Sequence, residues 1–177
     1  METVLNPLLV GTDHYSIHLA LNKEAVGKIN AIGHKVTLVK ATVGTNHTIP
    51  PLAVAWLAFS PTQNNEIVWQ SNYSLYATMT PLTPNAVLFV NSETPGAAMA
   101  RMRYSYHDNL FVDGPIQLPA GQYGVFNDQA DSIHFGLLQQ VTVNNMAPVL
   151  SPINSVPMLY KQSAVFVPRE ILYVFLS

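Results

Sequence analysis

The chain has 177 residues, of which 10% are charged and 49% hydrophobic, and it contains no cysteine. Ordinary soluble domains carry about 25% charged residues, so solubility must come from Asn, Gln, Ser and Thr. The lack of cysteine excludes disulfides, thiolate metal sites and a cysteine nucleophile. The net charge is −2 and the cations are scattered, which argues against a nucleic-acid partner because phosphates require clustered Lys and Arg.

A chain of this length is most simply one domain, residues 1–177. No basic segment precedes an apolar stretch near Met1, so no signal peptide is expected. We therefore expect a cytoplasmic protein, with export by a route that needs no signal peptide left open. No apolar run approaches the ~20 residues of a membrane helix.

The first expected elements are an arm and a strand. Pro7 breaks any helix within residues 1–11, which indicates an extended arm or an edge strand. Residues 13–21 alternate apolar and polar side chains, as a strand with one buried face requires. His14 and His18 would share a face of this strand about 13 Å apart, too far to bind one metal ion. We interpret them as surface histidines and predict no metal.

Residues 22–32 are the only good helix candidate. Asn22 can cap the N-terminus, and Gly33 suits the left-handed position after the last turn. A hairpin is the alternative interpretation, because Gly27 weakens a helix. Residues 34–43 resume the pattern of a strand.

Residues 53–80 are predicted to form a hairpin around which the rest of the chain is organised. Residues 53–59 are apolar and rich in β-forming side chains, and residues 60–65 are turn-forming. The apolar pattern resumes at residue 66, and residues 73–80 alternate strictly. This alternation puts Tyr76 on the polar face of its strand.

Further short strands are predicted between turns: residues 86–90, 98–107, 122–127, 133–143, 163–167 and 171–176. Residues 108–119 and 144–157 contain Gly, Pro, Asn and Ser and are predicted to be loops. About ten short strands separated by turns are typical of a sandwich or barrel. We therefore expect an all-β, antiparallel two-sheet β-sandwich (jelly-roll or lectin/cytolysin-like), with at most one short helix near 23–32.

Two polar clusters receive ordinary interpretations. Asn127, Asp128 and Asp131 form an oxygen-rich loop with too few carboxylates for a strong calcium site, so an Asx-turn is favoured. A short cationic stripe could bind a carboxylate or phosphate, but a solvated strand face with ion pairs is favoured. The stripe consists of Arg101, Arg103 and His107.

Known catalytic and nucleotide-binding motifs do not occur in the sequence, so we assign no catalytic residue and no cofactor. The aromatic residues are more informative, because several lie among Asn, Gln, Ser and Thr. An exposed ring offers a flat platform to the C–H face of a sugar, while amides and hydroxyls bond its hydroxyls. The candidate ligand-binding residues are Tyr76, Trp69, Asn72, Asn127 and Asp128.

Low charge, abundant amides and aromatic residues on polar strand faces favour a non-enzymatic, lectin-like binding protein. Its expected partner is a neutral glycan or another uncharged small ligand. The general pattern is similar to cysteine-free β-sandwich lectins and to cytolysins built on related sandwiches, a similarity of architecture that assigns no residue.

Two alternatives stay open. A pore-forming or membrane-surface protein is compatible with the low charge, although the sequence has no basic lipid-binding face. An enzyme with a β-barrel pocket would use His18, His107 or His134 as its base.

The segment 171–176 is uncharged, and its side chains are apolar on both faces of the expected strand. Such a strand must be buried on both faces, whereas one face of a sandwich strand normally meets the core. The arm at residues 4–10 or a second subunit must therefore cover it. We expect a symmetric homodimer, the commonest closed arrangement.

Overall fold

The computed structural model describes residues 3–5, 8–9, 14–44, 52–84 and 86–177. Within these residues the protein has sixteen strands and one helix, and the predicted all-β sandwich of two sheets is confirmed. The expected arm at residues 1–11 is described only at residues 3–5 and 8–9, and its remainder lies outside the described ranges.

In chain order the elements are β1 (Thr3–Leu5), β2 (Leu8–Leu9), β3 (His14–Ala20), α1 (Lys23–Ala31), β4 (Val36–Gly44), β5 (Leu52–Ala53), β6 (Leu57–Phe59), β7 (Asn64–Gln70), β8 (Ser74–Thr78), β9 (Ser92–Glu93), β10 (Met102–His107), β11 (Leu110–Gln117), β12 (Tyr123–Asn127), β13 (Ile133–Val143), β14 (Val149–Pro152), β15 (Asn154–Met158) and β16 (Ser163–Leu176). The first sheet has the strand order β11–β10–β12–β16–β4–β6, and β1 also pairs with β16. The second has the order β2–β3–β7–β13–β15–β5, with β14 and β8 also on β13 and β9 on β8. All pairs are antiparallel except β10 with β12, which is parallel.

The helix α1 forms where its capping residues predicted it. The Asn22 side chain accepts a hydrogen bond from the Ala25 amide at 2.7 Å, and Gly33 has φ +74°, the left-handed conformation that ends the helix. Among the described residues, no helix is both long and apolar enough to span a membrane.

The long strand β13 is the centre of the second sheet. One side of it pairs with β8 and then β7, and the other side pairs with β15 and then β14. Ile133, Phe135 and Leu137 alternate into the core and are each no more than 1% exposed. The predicted bounds of this strand, 133–143, are confirmed.

The predicted hairpin at residues 53–80 is wrong. Strand β6 pairs with β4 in the first sheet, whereas β7 pairs with β3 and β13 in the second. The polar residues between β6 and β7 therefore carry the chain from one sheet to the other. Local turn chemistry was correct, but it does not specify which strands pair.

Other boundaries also differ from expectation. Residues 108–119 and 144–157 were predicted to be loops, yet they contain β11, β14 and all of β15 except its last residue. Residues 86–90 were predicted to be a strand, but these five residues, all of which the structure describes, form no strand. The expected break at Pro168 is a register shift within β16, which continues through it.

The C-terminal half of β16 lies between two strands of its own chain. Leu172, Tyr173 and Val174 pair with β1 on one side, and β4 pairs on the other. Leu172 is fully buried, and Val174 packs against the core. Tyr173 and Phe175 alternate with these residues, so they face outward, and both are half-buried.

Candidate functional site

Three neighbouring strands of the second sheet, β3, β7 and β13, form a polar surface that is open to solvent. Side chains at alternate positions along each strand point away from the core, and the register brings them into rows. The facing pairs are His14 with Gln70, Ser16 with Val68, His18 with Glu66, and Thr142 with Val68. We use the term outer face for the residues His14, Ser16, His18, Glu66, Val68, Gln70, Gln140, Thr142 and Asn144.

At one end of the outer face is a depression of about 430 Å³, which we call the Asn145 depression. Its lining residues are polar: His18, Thr62, Asn64, Asn65, Glu66, Asn144 and Asn145. The His18 Nε2 atom lies 3.6 Å from Glu66 Oε1, and both side chains are exposed to solvent. The depression therefore offers amide, hydroxyl, imidazole and carboxylate groups to a ligand.

Two turns organised by asparagines form the walls of the Asn145 depression. Asn144 and Asn145 both have positive φ, and the Met146 amide donates to the Val143 carbonyl at 2.9 Å, which closes a tight turn after β13. The Asn144 side chain accepts from the Glu66 amide at 2.8 Å and extends the pairing of β13 with β7. These bonds fix the position of Asn145 before any ligand binds.

The opposite wall is fixed by Asn65, which is 2% exposed. Its side chain accepts from the Thr62 amide at 2.8 Å and donates to the Leu19 and Thr62 carbonyls at 3.0 and 2.8 Å. A buried amide with several partners holds the connection between β6 and β7 in one conformation. Thr62 in that connection and Asn64 at the start of β7 remain exposed.

At the other end of the outer face is a smaller depression of about 250 Å³, which we call the Asn72 depression. It is lined by His14, Val68, Trp69, Gln70, Asn72, Gln140, Thr142 and Pro148. The Asn72 amide donates to Gln70 Oε1 at 3.5 Å, and His14 Nε2 lies 3.3 Å from Gln70 Nε2. The exposed amides of Asn72 and Gln140 are the donors and acceptors open to a ligand here.

Charge is nearly absent from both depressions. Among their described lining residues, Glu66 alone is an Asp, Glu, Lys or Arg. A charged ligand would lose hydration on this surface without meeting an opposite charge, whereas a neutral ligand with hydroxyl groups can exchange hydrogen bonds with amides. The chemistry of the outer face therefore suits an uncharged, hydroxyl-bearing ligand.

Two of the five predicted site residues, Trp69 and Asn72, border the same depression. Asn72 is exposed, but Trp69 is only 2% exposed, so the expectation that its ring forms a ligand platform is wrong. Its indole stacks on Tyr15 at 5.7 Å and meets Trp56 edge-on at 5.4 Å between centroids. The ring belongs to the core.

The expectation of an exposed Tyr76 ring is also wrong. Tyr76 does lie on the opposite face of β8 from Leu75 and Ala77, but it is 0% exposed. It pairs with Gly136, whose missing Cβ leaves room for the ring, and its hydroxyl donates to the Asn154 carbonyl at 2.7 Å. Burial raises the pKa of Tyr76 to about 12. This part of the face is covered rather than open.

Asn127 and Asp128 line neither depression of the outer face. Asn127 is fully buried, donates to the Asp131 and Met158 carbonyls, and accepts from the Gln129 amide at 3.1 Å, as expected of an Asx-turn. Asp128 forms an ion pair with Lys161. Both residues therefore organise a loop in the structure.

A buried polar network was missed by the sequence analysis. Lys40 Nζ bonds Glu170 Oε2 at 2.8 Å and Gln139 Oε1 at 2.7 Å, and it lies 5.3–5.4 Å from the ring centroids of Trp56, Trp69 and Tyr73. The alternation of β4 could have indicated that Lys40 is buried, because Lys40 points to the same side of the strand as the buried residues Val36 and Leu38.

The network is closed to solvent on the lysine side. The Lys40 side chain is 0% exposed and that of Glu170 is 23% exposed. Burial lowers the pKa of Lys40 to about 8, although the Glu170 carboxylate opposes this shift. Burial, followed by the charge of Glu170, raises the pKa of Tyr73, whose hydroxyl donates to Glu170 Oε1 at 2.7 Å. This arrangement links the two sheets.

Two described histidines that were considered as bases, His107 and His134, lie outside both depressions. His134 is half-buried, its Nδ1 atom has no hydrogen-bond partner, and burial lowers its pKa. His107 is exposed beside Asp108 at 3.4 Å. Over the described part of the chain, no three His, Asp or Glu side chains are grouped so as to hold a metal ion.

Comparisons with family models, curated proteins and solved structures give no match to this chain. Function must therefore be inferred from the chemistry of the outer face.

Proposed function

We propose that the protein is a non-enzymatic binding module for a neutral carbohydrate, and that the outer face holds the ligand. The observation that carries the proposal is the presence of two polar depressions on one face. Of all their lining residues, only Glu66, in the Asn145 depression, is an Asp, Glu, Lys or Arg. Sugars present hydroxyl groups that both donate and accept, and amide side chains match both roles. The turns around Asn145 and Asn65 support the proposal, because a preformed site loses less side-chain entropy on binding.

The carboxylate count favours binding over hydrolysis. Glycoside hydrolases generally use two carboxyl groups, about 5–9.5 Å apart, as acid and base or nucleophile. Glu66 has no carboxylate partner among the residues of either depression. His18 is its nearest ionisable neighbour there, which leaves an enzyme with a histidine base as the alternative use of this site.

A glycan array tests the proposal directly. The wild-type protein should bind neutral glycans, and a double variant with Asn145→Gly and Gln140→Ala should lose the signal. Gly tolerates the positive φ of position 145, so the turn is kept. The matched control is Gln117→Ala, an exposed amide on β11 in the other sheet. An array without hits above background would remove the carbohydrate proposal, and release of new reducing ends during incubation would replace it with an enzymatic one.

A second candidate function is contact with a membrane surface. Val87 and Phe89 are each 69% exposed, and exposed apolar side chains at neighbouring positions mark interaction sites. If this segment inserts into lipid, the wild-type protein should co-sediment with zwitterionic vesicles and the variant with Val87→Ser and Phe89→Ser should not. Equal recovery of both proteins in the supernatant would remove this candidate.

A further inference from the structure

The two depressions of the outer face lie along the direction of the strands rather than across them. The row of His14 and Gln70 borders the Asn72 depression, and the row of His18 and Glu66 borders the Asn145 depression. These rows are four residues apart on each strand, which corresponds to about 13 Å. Both depressions are therefore within reach of one extended ligand.

The surface between the two depressions permits such a ligand to pass. The intervening row consists of Ser16, Val68 and Thr142, two hydroxyl side chains around one aliphatic side chain. None of the three is charged, and Val68 and Thr142 also line the Asn72 depression. A ligand that leaves one depression along the strands meets hydroxyls and a small apolar surface before it enters the other.

Neither depression has an exposed aromatic ring among its lining residues, since Trp69 is 2% exposed. Each must therefore bind through hydrogen bonds, which contribute only about 0.5–1.5 kcal/mol net apiece. One depression alone would hold a short sugar weakly. Occupying both with one molecule adds the second set of contacts at a high effective concentration.

From these observations we infer that the ligand is a linear neutral polysaccharide or a long oligosaccharide, bound along the strands with one segment in each depression. The inference depends on the proposed carbohydrate function and adds the shape of the ligand and the direction in which it lies. A monosaccharide or a compact terminal sugar would fill one depression and leave the other without a role.

The test is a length series of linear, unbranched gluco-oligosaccharides, with β-1,4, β-1,3 and α-1,4 linkages run in parallel. Affinity is measured by isothermal titration calorimetry and by chemical-shift perturbation. Oligomers shorter than the ~13 Å between the rows should bind weakly. Affinity should rise at least tenfold once the oligomer spans both rows, and then level off.

Single variants separate the two ends. Asn145→Gly removes a side chain of one depression, and Gln140→Ala removes one of the other. Each should reduce the affinity of the long oligomers toward that of the short ones, while Gln117→Ala should leave the length dependence unchanged. Shift changes with a long oligomer should reach Thr62 and Asn72 together.

The outcomes distinguish the two proposals. If no neutral oligosaccharide of any length binds, the carbohydrate function itself is wrong. If single sugars bind as tightly as long chains, or if shift changes stay within one depression, the carbohydrate function stands and the extended mode is wrong. Binding of a polar, uncharged peptide in place of the oligosaccharides would overturn both.

Discussion

Lys40 and Glu170 form an ion pair at 2.8 Å between a side chain that is 0% exposed and one that is 23% exposed. The pairing of β16 with β4 is irregular beside this ion pair. Pro168 pairs with Thr42 and Leu172 with Lys40, so β16 uses two more residues than β4 between the same points. Glu170 alternates in step with the buried Phe166 and Leu172, so its side chain points to the same face of β16.

Removal of the Glu170 carboxylate should destabilise the fold, because it leaves Lys40 buried without its counter-ion. We expect Glu170→Ala to lower the free energy of unfolding by about 3–5 kcal/mol, measured by urea denaturation. The double variant with Lys40→Met and Glu170→Gln should recover much of this loss, since it removes the charge and keeps an acceptor for the Trp69 indole.

The control for this prediction is the exposed ion pair of α1, in which Lys28 lies 2.6 Å from Glu24 and both side chains are at least 75% exposed. Lys28→Met should change stability by no more than about 0.5 kcal/mol. Similar losses for Glu170→Ala and Lys28→Met would contradict the role of the buried pair.

The same network predicts how stability depends on pH. The pKa of Lys40 is about 8 in the folded protein against 10.5 in the unfolded chain, so the unfolded chain binds more protons between these values. Stability should therefore rise from pH 8 to pH 10, by about 2 kcal/mol. Urea midpoints measured across this range should increase, and the increase should vanish in Lys40→Met.

Above pH 10 the dependence of stability on pH changes sign. The raised pKa values of Tyr73 and Tyr76 keep both phenols protonated in the folded protein, whereas an unfolded tyrosine ionises near 10. The folded state then binds more protons, and stability falls with pH. Urea midpoints should decline above pH 10, and Tyr76→Phe should make that decline shallower. An unchanged slope would show that Tyr76 titrates normally.

Gly136 should not tolerate a side chain. A Cβ at this position would lie 2.2 Å from the Asn154 carbonyl oxygen and 2.6 Å from Tyr76 Cε1. We expect Gly136→Ala to lower stability by about 3 kcal/mol through overpacking. Thermal unfolding of Gly27→Ala is the matched control, because nothing lies within 4 Å of a Cβ at that helical position. That substitution should stabilise the protein by about 0.5–1 kcal/mol, and a neutral Gly136→Ala would contradict the packing.

Self-association stays a prediction. Tyr173 and Phe175 face outward from β16 and are half-buried. We expect sedimentation to detect a homodimer at micromolar concentration and Tyr173→Lys to dissociate it. The control is Leu110→Lys, which charges an apolar residue that is 63% exposed on β11. A wild-type protein that sediments as a monomer would show that β1 and the rest of the chain cover this strand sufficiently.

The sequence predicted elements better than pairings. β3 and α1 were found because alternation and capping are local signals, whereas the pairing of β7 with β3 and β13 depends on distant parts of the chain. β11 was missed because Gly114 and Pro115 indicated a loop, yet an edge strand tolerates proline on its unpaired side.

The wrong prediction of a loop at residues 144–157 also affected the candidate site. Residues 144–157 were expected to be a loop, so nothing was expected to cover Tyr76, but Asn154 belongs to this segment and accepts the Tyr76 hydroxyl. The surface position of His14 and His18 followed from local alternation, and Asn72 was named because it is an amide among aromatic residues. The pairing of β3 with β7, which places these residues on one face, could not be predicted from local alternation.

The position of β16 constrains the order of events during synthesis. Its partners are made from residues 3–5, 36–44 and 123–127, whereas β16 itself is residues 163–176. On the ribosome, β4 and β12 therefore emerge without the strand that later joins them, and their unpaired edges stay open to other chains. The first sheet can close only after translation has passed residue 163, so we expect its closure to follow the synthesis of all its other strands.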